Sequence, residues 1–291
     1  MIARPDLSPA FRDLPPPLVV IGMHRSGTSL AAAMLSDMGV YMGPASGALD
    51  GIPDEQSRRD GYAEADAFRD LNEELLAAAG ASWSRPEPFL QRRDEPEFAQ
   101  ACLLRMTLEI RGPRFAGYVA GLPAAGAAPW GWKDPRTTLT FPLWAQLFPE
   151  ARVVHLRRDP ERTAASLHAR AQVWAAGPIP VPGAAARVRW ALRHPLAAAA
   201  ELGRRLGWLP LPPTEADPCM ELEYCRRLCR CYMSEAERYR FLNERYLELR
   251  YEELLENPAA CARNLAAFAG LSAGPERLER ALRRVSAARV K

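Results

Sequence analysis

LVVIGMHRSGTSLAAAMLSDMG occupies residues 18–39. Leu18, Val19, Val20 and Ile21 form a short, mostly β-branched run between Pro17 and Gly22, the pattern of a strand buried on both faces. From Ser29 to Met38 the spacing becomes helical: Leu30, Met34, Leu35 and Met38 share one face, and Gly39 supplies a C-terminal stop. The segment Gly22 to Ser29 joins them, so a buried strand passes through a tight glycine-bearing loop into a helix N-terminus. An anion belongs there, because backbone N–H groups converge at such a terminus and glycines permit close approach. Ser26, Gly27, Thr28 and Ser29 add amides and hydroxyl donors. The spacing approaches that of a Walker A loop, but Thr28 stands where that loop carries lysine. Glycine-rich turns open many helices that bind nothing, so the loop is decisive only with support from elsewhere in the chain.

Working outward, residues 1–16 carry Pro5, Pro9, Pro15 and Pro16 and read as an irregular lead-in. Residues 40–62 read as a long loop, and helical spacing covers 64–79 and 95–110. Short strands are expected at 130–133, 152–156 and 246–250. Asp159-Pro160 provides an N-cap and an N1 proline for a helix running through Arg170. Further helices are expected over 221–243, 258–269 and 275–288, while the proline- and arginine-rich stretch at about 177–218 reads as an insertion or lid. Strand and helix alternate, so the expected class is α/β: a mostly parallel sheet flanked by helices, in one domain spanning 17–291.

Bulk properties narrow the function classes. A net charge of +3, from 38 basic and 35 acidic residues, gives no sign of a nucleic-acid or membrane surface. No apolar run reaches the roughly 20 residues of a membrane span, and no secretory signal is evident, so a cytoplasmic protein without a transmembrane segment is expected. Cys219, Cys225, Cys229 and Cys231 lack paired C-x-x-C spacing, and Cys225 and Cys229 lie one helical turn apart. That spacing reads as packing, and no metal is expected.

Three further segments bear on chemistry. Arg158 stands at the carboxyl end of the strand expected at 152–156, and Ser166 falls about two turns into the next helix, so the pair could grip one phosphate from two sides. In isolation the favoured reading makes Arg158 a surface ion-pair partner and Ser166 a helix-surface residue. Trp132-Lys133-Asp134-Pro135-Arg136 runs out of the end of the second strand, and Leu249-Arg250-Tyr251-Glu252-Glu253-Leu254 out of the end of the fourth.

Together, R-S-G-T-S after a strand, K-D-P, a distal Arg with a Ser eight positions on, and Y-E-E-L resemble the motifs of PAPS-dependent sulfotransferases, in family order across residues 18–271. The bacterial and tyrosylprotein members are the nearer likeness, because Arg25 stands where cytosolic members carry lysine. The resemblance implies a P-loop NTPase-like sulfotransferase fold and 3′-phosphoadenosine 5′-phosphosulfate (PAPS) as co-substrate. It implies that Gly22 to Ser29 holds the 5′-phosphosulfate, that Arg25 and Lys133 stabilise the transferring group, that Arg158 and Ser166 read the 3′-phosphate, and that Tyr251 neighbours the adenine. Transfer is then an in-line displacement onto a hydroxyl or amine of a small-molecule, carbohydrate, lipid or peptide acceptor.

The chain departs from the family at two places. Pro135 occupies the region of the cytosolic members' catalytic histidine, and their C-terminal R-K-G-x-x-G segment has no copy. Glu64, in G-Y-A-E, is the nominated general base, with Asp54 and Glu55 as alternatives. His24 is assigned no role. Two other readings stand beside this one: a P-loop kinase, and a nucleotide-binding protein of the same fold without turnover. Oligomeric state is not legible.

Overall fold

In a computed structural model of the chain, described for residues 9–44, 64–124, 128–176, 218–272 and 274–289, the four expected strands form one sheet. They are β1 (Leu18–Ile21), β2 (Gly131–Lys133), β3 (Arg152–Arg157) and β4 (Tyr246–Arg250), all parallel, in spatial order β2-β1-β3-β4. The chain steps from β1 to one side for β2, then crosses back to the other side for β3. The crevice at such a reversal, beyond the carboxyl ends of the strands, is where open α/β sheets take their ligands.

Period-two alternation explains the layers. Leu18 and Val20 face α2 (Thr28–Met38), α11 (Pro258–Phe268) and α12 (Pro275–Arg289), together with Val154 and Leu156 of β3. Val19 and Ile21 face the opposite layer, which contains α3 (Asp66–Ala78), α5 (Pro96–Arg111), α7 (Thr137–Leu147), α8 (Pro160–Ala176) and α9 (Leu222–Glu237). An aromatic cluster fills that second layer, with Phe68 stacked on Trp132 at 4.2 Å between ring centroids and Trp144 5.0 Å from Trp132. Shorter helices complete the described elements: α1 (Pro9–Arg12), α4 (Glu87–Arg92), α6 (Pro113–Ala120) and α10 (Tyr251–Glu256).

The structure departs from the sequence reading in several places. The lead-in contains α1, whose Phe11 is buried against Trp130 at 5.1 Å. The helix expected over 221–243 ends at Glu237 and tightens into a 3-10 segment, Arg238–Arg245, that leads into β4. The helix after Pro160 runs on to Ala176. α4, α6 and α7 were not expected at all. In α7, threonines crowd the first turn and Pro142 sits inside the helix, so local propensity argues against it. Burial overrides propensity here. Pro142 cannot donate to Thr138 O, and the Tyr239 hydroxyl donates to that carbonyl instead, at 2.8 Å. The expected lid at about 177–218, apart from Pro218, and most of the loop at 40–62 lie outside the described residues.

Candidate active site

The loop after β1 is shaped by two left-handed residues. Arg25 has φ 70° and Gly27 φ 95°. A Cβ on Gly27 would lie 2.3 Å from Tyr251 Cδ2, so only glycine permits this approach. Gly22, at φ 138°, is equally confined, since a Cβ there would lie 2.5 Å from Leu156 O. Thr138 of α7 fastens the start of the loop: its Oγ1 accepts from Gly22 N at 3.0 Å and lies 3.2 Å from Gly22 O. Ser26 turns its hydroxyl inward and donates to Met23 O at 2.7 Å. At the far end Gly27 caps α2 without a side chain, and the first turn of α2 carries no acidic residue. The leading amides of α2 therefore present partial positive charge that no carboxylate of that turn offsets.

The Arg25 side chain reaches Ser166 of α8, donating from Nε to Oγ at 3.1 Å. Arg158, just past β3, donates from Nη1 to Arg25 O at 2.9 Å and holds the strained residue in place. Its guanidinium lies 4.7 Å from the centroid of the Tyr251 ring. Arg158 Nε is buried and has no hydrogen-bond partner among the described residues. A small crevice of about 10 Å³ opens here, lined in part by Met23, Ser26, Arg158, Pro160 and Thr163.

On the other side of β1, Lys133 ends β2 and is 2% exposed. Its Nζ donates to Glu64 Oε1 at 3.0 Å, and Arg136 Nη1 lies 3.6 Å from Glu64 Oε2. Burial alone would raise the Glu64 pKa, but Lys133 and Arg136 outweigh it and hold the carboxyl below its usual range. α3 clasps this turn as well. Asn72 donates to Asp134 Oδ2 at 2.7 Å and to Thr137 Oγ1 at 2.9 Å, while its Oδ1 accepts from Thr140 and Trp144. Asp134 in turn accepts from Arg136 Nη1 at 2.9 Å, and burial pushes its pKa up despite that partner.

His24, between the loop's first glycine and Arg25, is 8% exposed, and its Nε2 has no hydrogen-bond partner among the described residues. Its ring centroid lies 4.6 Å from that of Trp83. Burial, then the fields of Arg136, Arg170, Lys133 and Arg25, lowers the imidazole pKa well below its ordinary value.

The sequence matches the model described as "Sulfotransferase family" over residues 16–178 and that described as "Sulfotransferase domain" over residues 133–291, each more than half of the chain. The chain belongs to the sulfotransferase family. Among solved structures, a sulfotransferase from Mycobacterium avium aligns with a TM-score of 0.49 at 16% identity, covering 96% of this chain and 70% of that one. One from Alicyclobacillus acidocaldarius aligns at 0.45 and 15% identity, covering 94% and 95%. Retinol dehydratase in complex with androsterone and inactive cofactor PAP aligns at 0.36 and 17%, covering 97% and 65%. No curated protein matches.

This sulfotransferase brings Arg25, Ser26, Gly27, Thr28, Ser29, Arg158, Ser166 and Tyr251 to one edge of the sheet, with Arg25 in direct contact with both Arg158 and Ser166. It brings Lys133 and Glu64 together as a buried pair across the neighbouring strand end. Asp54 and Glu55 lie outside the described residues. Sequence reasoning missed Thr138, Asn72 and Tyr239, which hold the loop and the K-D-P-R turn in place. The Thr137-Thr138 pair directly after that turn was the available signal. Among the described residues no helix is long and apolar enough to cross a membrane, and no cluster of metal-ligating side chains occurs.

Proposed function

We propose that this sulfotransferase uses PAPS as donor and transfers its sulfuryl group to a hydroxyl or amine by in-line displacement. One observation carries the reading: at the carboxyl edge of the sheet, the loop between β1 and α2 lies between Lys133 at the end of β2 and Arg158 with Tyr251 beyond β3 and β4. Such a row suits a donor with anionic groups at both ends. Arg158, with a buried Nε lacking a partner among the described residues, fits a 3′-phosphate, and Ser166 lies within reach of the same group through Arg25. Tyr251, packed against Gly27, walls the position of the base.

In this reading the leading amides of α2 and the hydroxyls of Thr28 and Ser29 hold the 5′-phosphate. Arg25 and Lys133 stabilise charge on the sulfonate and on the departing phosphate oxygen. The donor supplies an activated sulfuryl group, and the chain supplies orientation and charge. Glu64, held below its usual range with cations facing both oxygens, is a weak base. We assign it to positioning Lys133. Carbohydrate, lipid, peptide and small-molecule acceptors all fit this scheme.

Calorimetric titration in EDTA with 3′-phosphoadenosine 5′-phosphate (PAP), and separately with ATP with and without magnesium, tests the donor. Tight metal-free binding of PAP with weak binding of ATP is expected. Preference for magnesium-ATP would make the protein a kinase of this fold.

A further inference from the structure

We propose that His24 takes the acceptor's proton during transfer, a step that rests on the donor reading above. The residue directly precedes Arg25, one of the two groups that would face the sulfonate, and its ring is buried in the same loop between β1 and α2. A buried side-chain nitrogen without a partner is uncommon in a folded chain, and His24 Nε2 is one among the described residues. What the protein does not satisfy, an acceptor hydroxyl can.

The surroundings suit the role. Trp83 backs the imidazole, and its turn is fixed from α9: Tyr232 donates to Trp83 O at 2.9 Å and Tyr224 to Ser84 O at 2.7 Å. The Arg170 guanidinium of α8 lies 5.1 Å from the centroid of the Trp83 ring. After burial, the cations that lower the His24 pKa are Arg136 and Lys133 around the β2–α7 turn, Arg170 on α8 and Arg25 on its own loop, and Glu64 and Asp134 pair with the first two of them. With burial these cations favour the neutral imidazole, and the proposed role requires the tautomer with its proton on Nδ1, which leaves the Nε2 lone pair available. An anionic donor bound to Arg25 and Lys133 offsets part of that field, so the imidazole becomes a better base once the donor is in place. Glu64 lacks this freedom while its carboxylate pairs with Lys133.

The step balances without any further reactant. The acceptor oxygen forms a bond to sulfur, and the bond from sulfur to the 5′-phosphate oxygen breaks with its electron pair leaving on the phosphate. The acceptor's hydroxyl proton goes to His24 Nε2 and passes to solvent after product departs.

Two readouts test it. In wild-type protein the His24 imidazole, assigned by the signal lost in His24→Gln, is titrated by NMR with and without PAP, and binding of PAP is measured in parallel by calorimetry. An upward move of about one pH unit in the PAP complex is expected. Sulfate release from radiolabelled PAPS, with water as acceptor, is then followed against pH. Wild type should show an acid limb at the His24 titration of the complex. His24→Gln should lose that limb and about 100-fold in rate with PAP affinity unchanged, while Glu64→Gln keeps the limb. A His24 titration unmoved in a PAP complex overturns the proposal whatever the rates, as does a wild-type acid limb in His24→Gln. Failure of wild type to bind PAP instead removes the donor reading itself.

Discussion

Replacing Lys133 by Met isolates the buried pair on which the proposed transfer site is built. Lys133 Nζ and Glu64 Oε1 are 3.0 Å apart, and both side chains are 2% exposed. Removing one partner of such a pair leaves an uncompensated buried charge and typically costs about 3–5 kcal/mol. Arg136 Nη1, 3.6 Å from the other oxygen, remains to share the load, which places Lys133→Met near the low end, about 3 kcal/mol. Adding Glu64→Gln removes the stranded charge, so the double variant should return to within about 1 kcal/mol of wild type. Acid separates the cases further. In wild type the Glu64 pKa is depressed on folding, so its stabilisation is present above the unfolded carboxyl value and is lost as pH falls below it. Without Lys133, burial dominates and the folded pKa rises, so the single variant should regain stability relative to wild type on acidification from pH 7 to 5. Urea denaturation at both pH values reads this out. A single variant within about 1 kcal/mol of wild type, or a double variant whose loss is the sum of the two singles, would refute the pairing.

Gly27→Ala should push the Tyr251 ring away or force the loop out of its left-handed turn, since the added Cβ would lie 2.3 Å from Tyr251 Cδ2. Overpacking of this kind costs about 1–3 kcal/mol, and a melt together with PAP titration should show both lower stability and at least tenfold weaker binding. Tyr239→Phe should cost about 1–3 kcal/mol in denaturant unfolding, because it strands the Thr138 carbonyl that Pro142 cannot serve. In a Pro142→Ala background, where a backbone N–H is restored, the same change should be close to neutral. Equal losses in the two backgrounds would contradict the exchange of donors.

Much of the sheet was legible because each strand is a compact apolar run whose ends are punctuated. Leu18–Ile21 sits between Pro17 and Gly22, and Arg152–Arg157 runs up to Asp159-Pro160. Most of the residues proposed for the donor site were picked out for the same reason, since they follow a strand or open the next helix, whereas Ser166 lies about two turns into α8. α7 was not, because Pro142 and the threonines of its first turn argue against a helix that only tertiary burial stabilises. The pairing of Glu64 with Lys133 and the reach of Arg25 to Ser166 join residues 69 and 141 positions apart, which no local pattern encodes. Nor does sequence reveal that His24 is buried with an unserved ring nitrogen, since a histidine inside a glycine-rich loop reads equally as exposed.

The central claim is that Arg158 reads the second phosphate of an adenosine bisphosphate donor. It is tested most directly by calorimetric binding of PAP and of adenosine 5′-monophosphate, which lacks the 3′-phosphate, to wild type and to Arg158→Ala in EDTA. Wild type should favour PAP by at least 100-fold, and Arg158→Ala should erase most of that preference while leaving the monophosphate nearly as it was, the signature of a charge-assisted contact to one group. Equal preference for PAP in both proteins, or no binding of PAP by folded wild type, would contradict it.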